Sequence, residues 1–152
     1  MRKINIIYAG TMKEDYFKRA AQEYIKRLSA DFRVEHIEIK EERGMGLQKE
    51  ADRISEKLGK LGSAFKIVLD REGARLSSEK FAELLYGERA VNAQSTAFII
   101  GSSHGLADRI KQAADFRLSF SDMTFPHSLF RVMLMEQIYR ACMIERGGAY
   151  HK

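Results

Sequence analysis

Phe120-Ser-Asp-Met-Thr-Phe-Pro-His127, running straight into Ser128-Leu-Phe-Arg-Val-Met-Leu-Met-Glu-Gln-Ile-Tyr-Arg-Ala-Cys-Met-Ile-Glu145, is the stretch on which the reading of this chain turns. It holds the only proline of the sequence. Proline fixes φ and lacks an amide donor, which suits the start of a helix, where that donor has no partner. It also pushes Phe125 towards extended geometry. The stretch therefore predicts a loop, then Pro126, then a helix of about five turns that stops at Gly147-Gly148. At about 100° per residue, Arg131, Leu134, Met135, Ile138 and Cys142 share one side, and Leu129, Met133, Glu136 and Arg140 the other. A helix apolar around most of its circumference is buried on most sides. In a short chain a partner subunit is the simplest cover, so a homodimer held by this helix is expected. Beyond the glycines, Tyr150-His151-Lys152 carry aromatic, imidazole and ammonium groups where a terminus ordinarily frays into polar filler. The site is therefore sought in this last third.

The whole chain sets bounds on that search. At 152 residues, 45% hydrophobic and 31% charged, it reads as a single domain over residues 1–152. No stretch approaches the roughly 18 apolar residues of a membrane span. Met1-Arg-Lys-Ile-Asn-Ile-Ile-Tyr-Ala-Gly10 begins basic, but its apolar run is too short for a signal peptide and reads as a first strand. A single cysteine, Cys142, leaves no intrachain disulfide and no cysteine-rich metal site, which fits a reducing cytoplasm. A net charge of +5 is compatible with a nucleic-acid partner without requiring one.

Periodicity divides the rest. Lys3–Ala9, Arg33–Ile39, Ala64–Leu69, Thr96–Ile100 and Arg117–Phe120 read as strands; Asp70-Arg-Glu-Gly-Ala-Arg75 reads as a polar turn after the third. Helices are expected over about Lys13–Leu28, over Leu47–Leu61 after the Gly44-Met-Gly46 loop, over Ser78–Tyr86 and over Ala107–Ala114. Strands alternating with helices predict an α/β domain, a parallel sheet with helices on both faces.

Ligands of open α/β sheets bind outside the carboxyl ends of the strands. Three such ends look equipped here: Leu69-Asp70, Gly101–Leu106 and Phe120–His127. Gly101 and Gly105 leave room for close backbone approach. Familiar motifs are missing. No G-x-G-x-x-G follows the first strand, and no G-x-x-x-x-G-K-[ST] occurs. The histidines (His36, His104, His127, His151) lack zinc-ligand spacing, and Gly101-Ser-Ser-His-Gly105 does not place a serine at a nucleophile elbow.

Taken together, Ile100-Gly101, Gly105-Leu106, Leu118-Ser-Phe-Ser-Asp-Met-Thr-Phe-Pro-His127, Arg131-Val132, Glu136-Gln-Ile-Tyr-Arg-Ala141, Arg146-Gly147 and the terminal Tyr-His-Lys resemble the RlmH family, SPOUT-superfamily methyltransferases of large-subunit ribosomal RNA. The resemblance spans essentially the whole chain. It implies a C-terminal trefoil knot, which spacing would never suggest, since knots are very rare. It further implies a homodimer, S-adenosyl-L-methionine as methyl donor, and methylation of N3 of a pseudouridine in 23S rRNA of the assembled ribosome. Carried over position by position, the cofactor pocket comprises Leu69, Gly101, Phe120, Ser121, Asp122, Met123, Thr124 and Phe125. One departure is Ser102, where the family usually has glycine; a left-handed backbone there would weaken cofactor binding.

Methyl transfer from a sulfonium needs alignment and exclusion of water more than a covalent enzyme group. The accepting nitrogen must lose a proton. His151 or His127 can take it, Arg140 or Arg131 can lower the nitrogen's pKa or hold phosphate, and Tyr150 can stack on a base. The catalytic candidates are His151, Arg140 and Tyr150, Arg140 on the helix and the other two on a tail free to move beyond its glycines. Plainer readings stand beside these. Cys142 and Met133, Met135 and Met143 suit a core or interface, Glu136 and Arg140 an ordinary i,i+4 pair, the basic face of the first helix a solvated surface, and His36 and His104 a strand face and a loop. Two further functions stay open: a non-catalytic ribosome-binding or assembly factor that retains the knot, and an α/β enzyme for another adenine-containing cofactor.

Overall fold

Ile4, Ile6 and Tyr8 face one way along the first strand and Ile7 and Ala9 the other, and all five are buried. A strand can bury both its faces only when helices cover both sides of its sheet. The computed structural model describes residues 1–41 and 46–150 and shows that arrangement. Its elements in chain order are β1 (Arg2–Ala9), α1 (Asp15–Leu28), β2 (Phe32–Ile39), α2 (Leu47–Gly59), β3 (Ala64–Arg75), α3 (Ser78–Tyr86), α4 (Glu88–Asn92), β4 (Ser95–Ile100), α5 (Asp108–Ala113), β5 (Phe116–Ser119) and α6 (His127–Glu145). The strands form one sheet in the order β2-β1-β4-β3-β5, every pairing parallel. β4 lies at the centre, and each of its six residues is buried.

One face is covered by α1, α3 and α6, through Ala21, Leu28, Phe81, Leu85, Leu134 and Ile138. The other is covered by α2 and α5, through Ala51, Ile54 and Ile110. No helix among the described residues is long and apolar enough to cross a membrane.

Three expectations change. The polar turn at residues 70–75 belongs to β3, which pairs with β5 on both sides of an irregularity: Leu118 is the register partner of both Leu69 and Ala74. A short helix, α4, precedes the central strand, where no element was expected. The third change concerns α6. The wheel finds its inward side correctly, since Arg131, Leu134, Met135, Ile138 and Cys142 are all buried, with Ala141 added. What covers that side, however, is this chain's own α1 and α3. Met135 and Ile138, both with no exposed surface, are core residues and not the face open to a second subunit. The outward side, with Leu129, Met133, Glu136 and Arg140, is half-buried. Of the Gly44-Met-Gly46 loop, Gly44 and Met45 lie outside the described residues, and Gly46 caps α2.

Candidate active site

The middle of β3, at Leu69, Asp70 and Arg71, and the carboxyl ends of β4 and β5 open into one cavity of about 690 Å³. The register explains why. Leu69 pairs with Ile100 across β3 and β4, and with Leu118 across β3 and β5, so the middle of β3 lies level with the ends of β4 and β5, and the loops that follow those two strands converge there. All the residues nominated for the cofactor line this cavity except Asp122. Asp122 is exposed and ion-paired with Arg75, so its carboxylate ties the loop to the end of β3.

The loop after β4 is tight. A Cβ at Gly101 would lie 2.3 Å from the carbonyl oxygen of Gly105 and 2.9 Å from Leu106 Cγ. Glycine is therefore required by the loop's own packing, where the sequence suggested space shared with a ligand. Gly105 carries the left-handed φ of +82° and donates its amide to the Ser102 carbonyl at 2.9 Å. Among the described residues no non-glycine has positive φ. Ser102, buried at 4% exposure, thus fits its position without strain.

The loop after β5 is held from within and from α6. Ser119 Oγ donates to the Ser121 carbonyl at 3.2 Å, and the Met123 amide donates to Ser121 Oγ at 3.0 Å. Phe130, on the first turn of α6, meets Phe120 at 4.9 Å and stacks on Phe125 at 6.2 Å between ring centroids. Pro126, with φ −56° and ψ 141°, is the cap just outside the helix, and its carbonyl receives the Phe130 amide at 2.9 Å. Met123 is 74% exposed and Thr124 is exposed, leaving that wall open to an incoming ligand.

Two ionisable groups shape the cavity wall. Burial works against the charge on Asp70, but a hydrogen bond from Arg117 at 2.5 Å, one from the Glu72 amide at 3.2 Å and the Lys111 ammonium at 3.7 Å outweigh it. Its carboxyl is held below the usual range. Burial lowers the His127 imidazole, and the Arg131 charge adds to that effect while Glu41 and Glu50 oppose it. The balance favours the neutral imidazole at His127. Lys111 and Phe130 line the cavity without having been singled out in the sequence. Phe130 is findable from the loop-to-helix junction, whereas Lys111 is brought there only by the turn of α5.

Two of the catalytic candidates, Arg140 and Tyr150, lie elsewhere. Arg140 donates from Nε and Nη2 to Glu136 Oε1, at 3.1 and 2.7 Å. Its guanidinium lies over the Tyr150 ring, 4.9 Å from the centroid. Tyr150 donates its hydroxyl to the same Glu136 oxygen at 3.3 Å and meets Tyr139 edge-on at 5.0 Å. Tyr150 is therefore docked on α6, contrary to the free tail expected. Neither Arg140 nor Tyr150 lines the cofactor cavity. His151 and Lys152 lie outside the described residues. Arg131, offered as a phosphate ligand, is 2% exposed with its guanidinium 3.8 Å from the centre of the Tyr8 ring. Its place in the core removes it from contact with RNA. His36 stands against Tyr8 on the strand face, and His104 is exposed in its loop.

Residues 2–151 match the family model described as predicted SPOUT methyltransferase. The chain belongs to the SPOUT methyltransferase family. Its relatives include proteins named ribosomal RNA large subunit methyltransferase H. Those of Caldicellulosiruptor saccharolyticus and Caldicellulosiruptor bescii are 47% and 49% identical, each over 98% of this chain and 99% of its own length. That of Clostridium botulinum is 43% identical over the same shares. Among solved structures, a methylase family protein from Haemophilus influenzae aligns with a TM-score of 0.55 at 10% identity, over 98% of this chain and 70% of its own. One from Neisseria gonorrhoeae aligns with a TM-score of 0.55 at 12% identity, over 90% of this chain and 81% of its own. At such identities these two establish the shared fold alone.

Proposed function

We propose that this SPOUT protein is an S-adenosylmethionine-dependent methyltransferase of large-subunit ribosomal RNA, acting on N3 of a pseudouridine of 23S rRNA. The observation that carries this reading is the cavity beside β3 at the ends of β4 and β5, whose wall includes seven of the eight positions nominated by the family resemblance. Leu69, Gly101 and the 120–125 loop would hold the cofactor, and the cavity's mixed apolar and backbone lining suits an adenosine and an amino-acid chain together. When bound, S-adenosylmethionine would supply the electrophilic methyl group that N3 takes up in exchange for its proton.

The chain's own residues do the rest. The Phe120, Phe125 and Phe130 cluster keeps water from the reacting centre and fixes the loop that orients both partners. The N3 proton needs an acceptor, and His127, kept neutral on the cavity wall, offers a ring nitrogen for it; His151 is the other candidate. Arg140 on α6, and Tyr150 docked against it, are the further catalytic candidates and stand apart from that wall.

A homodimer and a C-terminal trefoil knot complete the reading. The outward side of α6 supports the dimer, since Leu129, Val132, Met133 and Met143 are apolar and remain half-exposed. An assembled ribosome as substrate would place the protein in the cytoplasm, and its surroundings would position a small enzyme without a separate RNA-binding domain. Isothermal titration with S-adenosylmethionine, followed by transfer of labelled methyl to ribosomes lacking the modification, tests the proposal. Binding with transfer is expected. Binding without transfer would favour an assembly factor, and preference for another adenine nucleotide would favour a different enzyme.

A further inference from the structure

Tyr150 closes a row of rings and cations that begins on α1. Its ring meets Tyr139 of α6 edge-on at 5.0 Å, and Tyr139 stands 6.3 Å from Tyr24 of α1. The Arg27 guanidinium lies 5.5 Å from the centre of the Tyr24 ring and 5.7 Å from that of Tyr139, so one cation spans both helices. Glu23, one turn back on α1, fixes that cation by accepting from Arg27 Nε at 2.9 Å. At the far end stands Arg140, over the Tyr150 ring, and Glu136 accepts from both. Burial, then the neighbouring Tyr24 and Glu136, hold the Tyr150 phenol above its ordinary value, so it keeps its proton and goes on donating.

Little of this row is core. Tyr24 and Tyr139 are half-buried, Tyr150 is exposed, and the Arg27–Glu23 pair is of the exposed kind that adds little to stability. The row supplies direction instead. An aromatic ring prefers to turn its positive edge to a neighbour's negative face, and a guanidinium seeks such a face too, so the contacts favour one setting of each side chain. Glu136, Tyr139 and Arg140 lie on one face of α6, at i, i+3 and i+4. α1 adds contact from a second direction, and it is a fixed wall because Ala21 and Leu28 seat it in the core.

We propose that Tyr24 and Arg27 of α1, together with Tyr139, are positioning residues for methyl transfer: they hold Tyr150, and through Tyr150 the guanidinium of Arg140, in the working arrangement. The inference rests on the methyltransferase reading above. None of the three lines the cofactor cavity, so their effect falls on turnover and not on cofactor binding.

Protein carrying 3-fluorotyrosine at its six tyrosines tests it, with the Tyr150 ¹⁹F signal assigned through Tyr150→Phe. Arg27→Ala removes the bridging cation from an exposed position, so the fold is kept; Tyr24→Leu is the second variant. In each, the Tyr150 signal should move towards that of free 3-fluorotyrosine. The kcat for ribosome methylation should fall roughly tenfold, within the hundredfold that a misplacement of about 1 Å can cost. KM for ribosomes and the affinity for S-adenosylhomocysteine should stay at their parent values. Arg27→Lys, which keeps a cation over the rings, should restore most of the signal and of kcat. The proposal falls if either the Tyr150 signal or kcat keeps its parent value in both variants. It falls too if KM for ribosomes rises at unchanged kcat, which would make Arg27 an RNA contact, or if the variants are monomers where the parent is a dimer, which would make the row a subunit interface. A parent protein that never methylates ribosomes, with its Tyr150 signal still moved by Arg27→Ala, would instead sink the methyltransferase reading and leave the row as what holds the tail.

Discussion

Gly101→Ala separates two reasons for a glycine at the end of the central strand. If glycine is present only so that a cofactor can approach the backbone, the alanine variant folds as the parent does and binds more weakly. The geometry argues otherwise. The new methyl carbon would stand 2.3 Å from Gly105 O, 2.6 Å from Gly105 C and 2.9 Å from Leu106 Cγ. Two of these are backbone atoms and cannot rotate aside. Reaching ordinary contact requires the 101–106 loop to open by about 1 Å, a displacement typical of overpacked cores, which cost about 1–3 kcal/mol. The same opening strains the Gly105-to-Ser102 hydrogen bond, worth about 1 kcal/mol, and the seat of Leu106, which is 8% exposed. A loss of about 2–3 kcal/mol in ligand-free stability is therefore expected from urea denaturation. S-adenosylmethionine affinity, measured by titration on the folded fraction, should fall as well, because the opened loop is one wall of the cavity. Parent-like stability in the ligand-free variant would refute the packing argument whatever happened to binding.

Two other perturbations address the helix and the histidines. Met135→Ala should cost about 2–5 kcal/mol as a core truncation in urea melts without changing the sedimentation coefficient, whereas Leu129→Asp, on the outward side, should leave the melt nearly unchanged and convert dimer to monomer; a dimeric Leu129→Asp variant would move the interface elsewhere. His36 and His127 are both lowered by burial, so below the unfolded value of about 6.5 the unfolded chain binds more protons than the native one, and their neutral native forms favour folding fully only above that pH. The urea midpoint should accordingly fall between about pH 7.5 and 5.5, and His36→Gln should flatten that fall; an unchanged slope would show that other groups govern it.

What was legible in the sequence follows from the range of each signal. The β-branched and aromatic run of Lys3–Ala9 and the helical spacing of Ala21 and Leu28 are local, and the sheet and its helices could be read from them. Asp70-Arg-Glu-Gly-Ala-Arg75 has turn composition, yet it is strand because β5 lies alongside it, a pairing over more than forty residues that no local pattern contains. The wheel of α6 showed which side is apolar but not whose side chains cover it, so burial by α1 and α3 looked like burial by a partner. Arg131 illustrates the same limit: its position on the apolar side was readable, whereas its seat over Tyr8 was not, and a charge suggested phosphate. The positions carried over from the family resemblance, Asp122 apart, line one cavity because the register brings Leu69, Gly101 and the loop after β5 to the same edge of the sheet.

The glycine pair after α6 carries the most instructive reversal. Gly147 and Gly148 were read as the end of order, with the residues beyond them free. In the structure Gly147 takes a φ of +65°, its amide meets Ile144 O at 2.9 Å, and the Gly148 amide meets Met143 O at 2.7 Å. That is the paired capping pattern by which a left-handed glycine turns the chain back on its helix. The turn is what returns Tyr150 to Glu136, Tyr139 and Arg140, ten to fourteen residues upstream. A residue with a Cβ at Gly147 would resist that φ, so the stop signal and the docking of the tail are one feature. Because α6 is anchored in the core by Leu134, Met135 and Ile138, the groups assigned to the reaction inherit their positions from core packing. The apolar helix and the polar tail, which the sequence presents as separate peculiarities, are thus one device for holding Arg140 and Tyr150 in place.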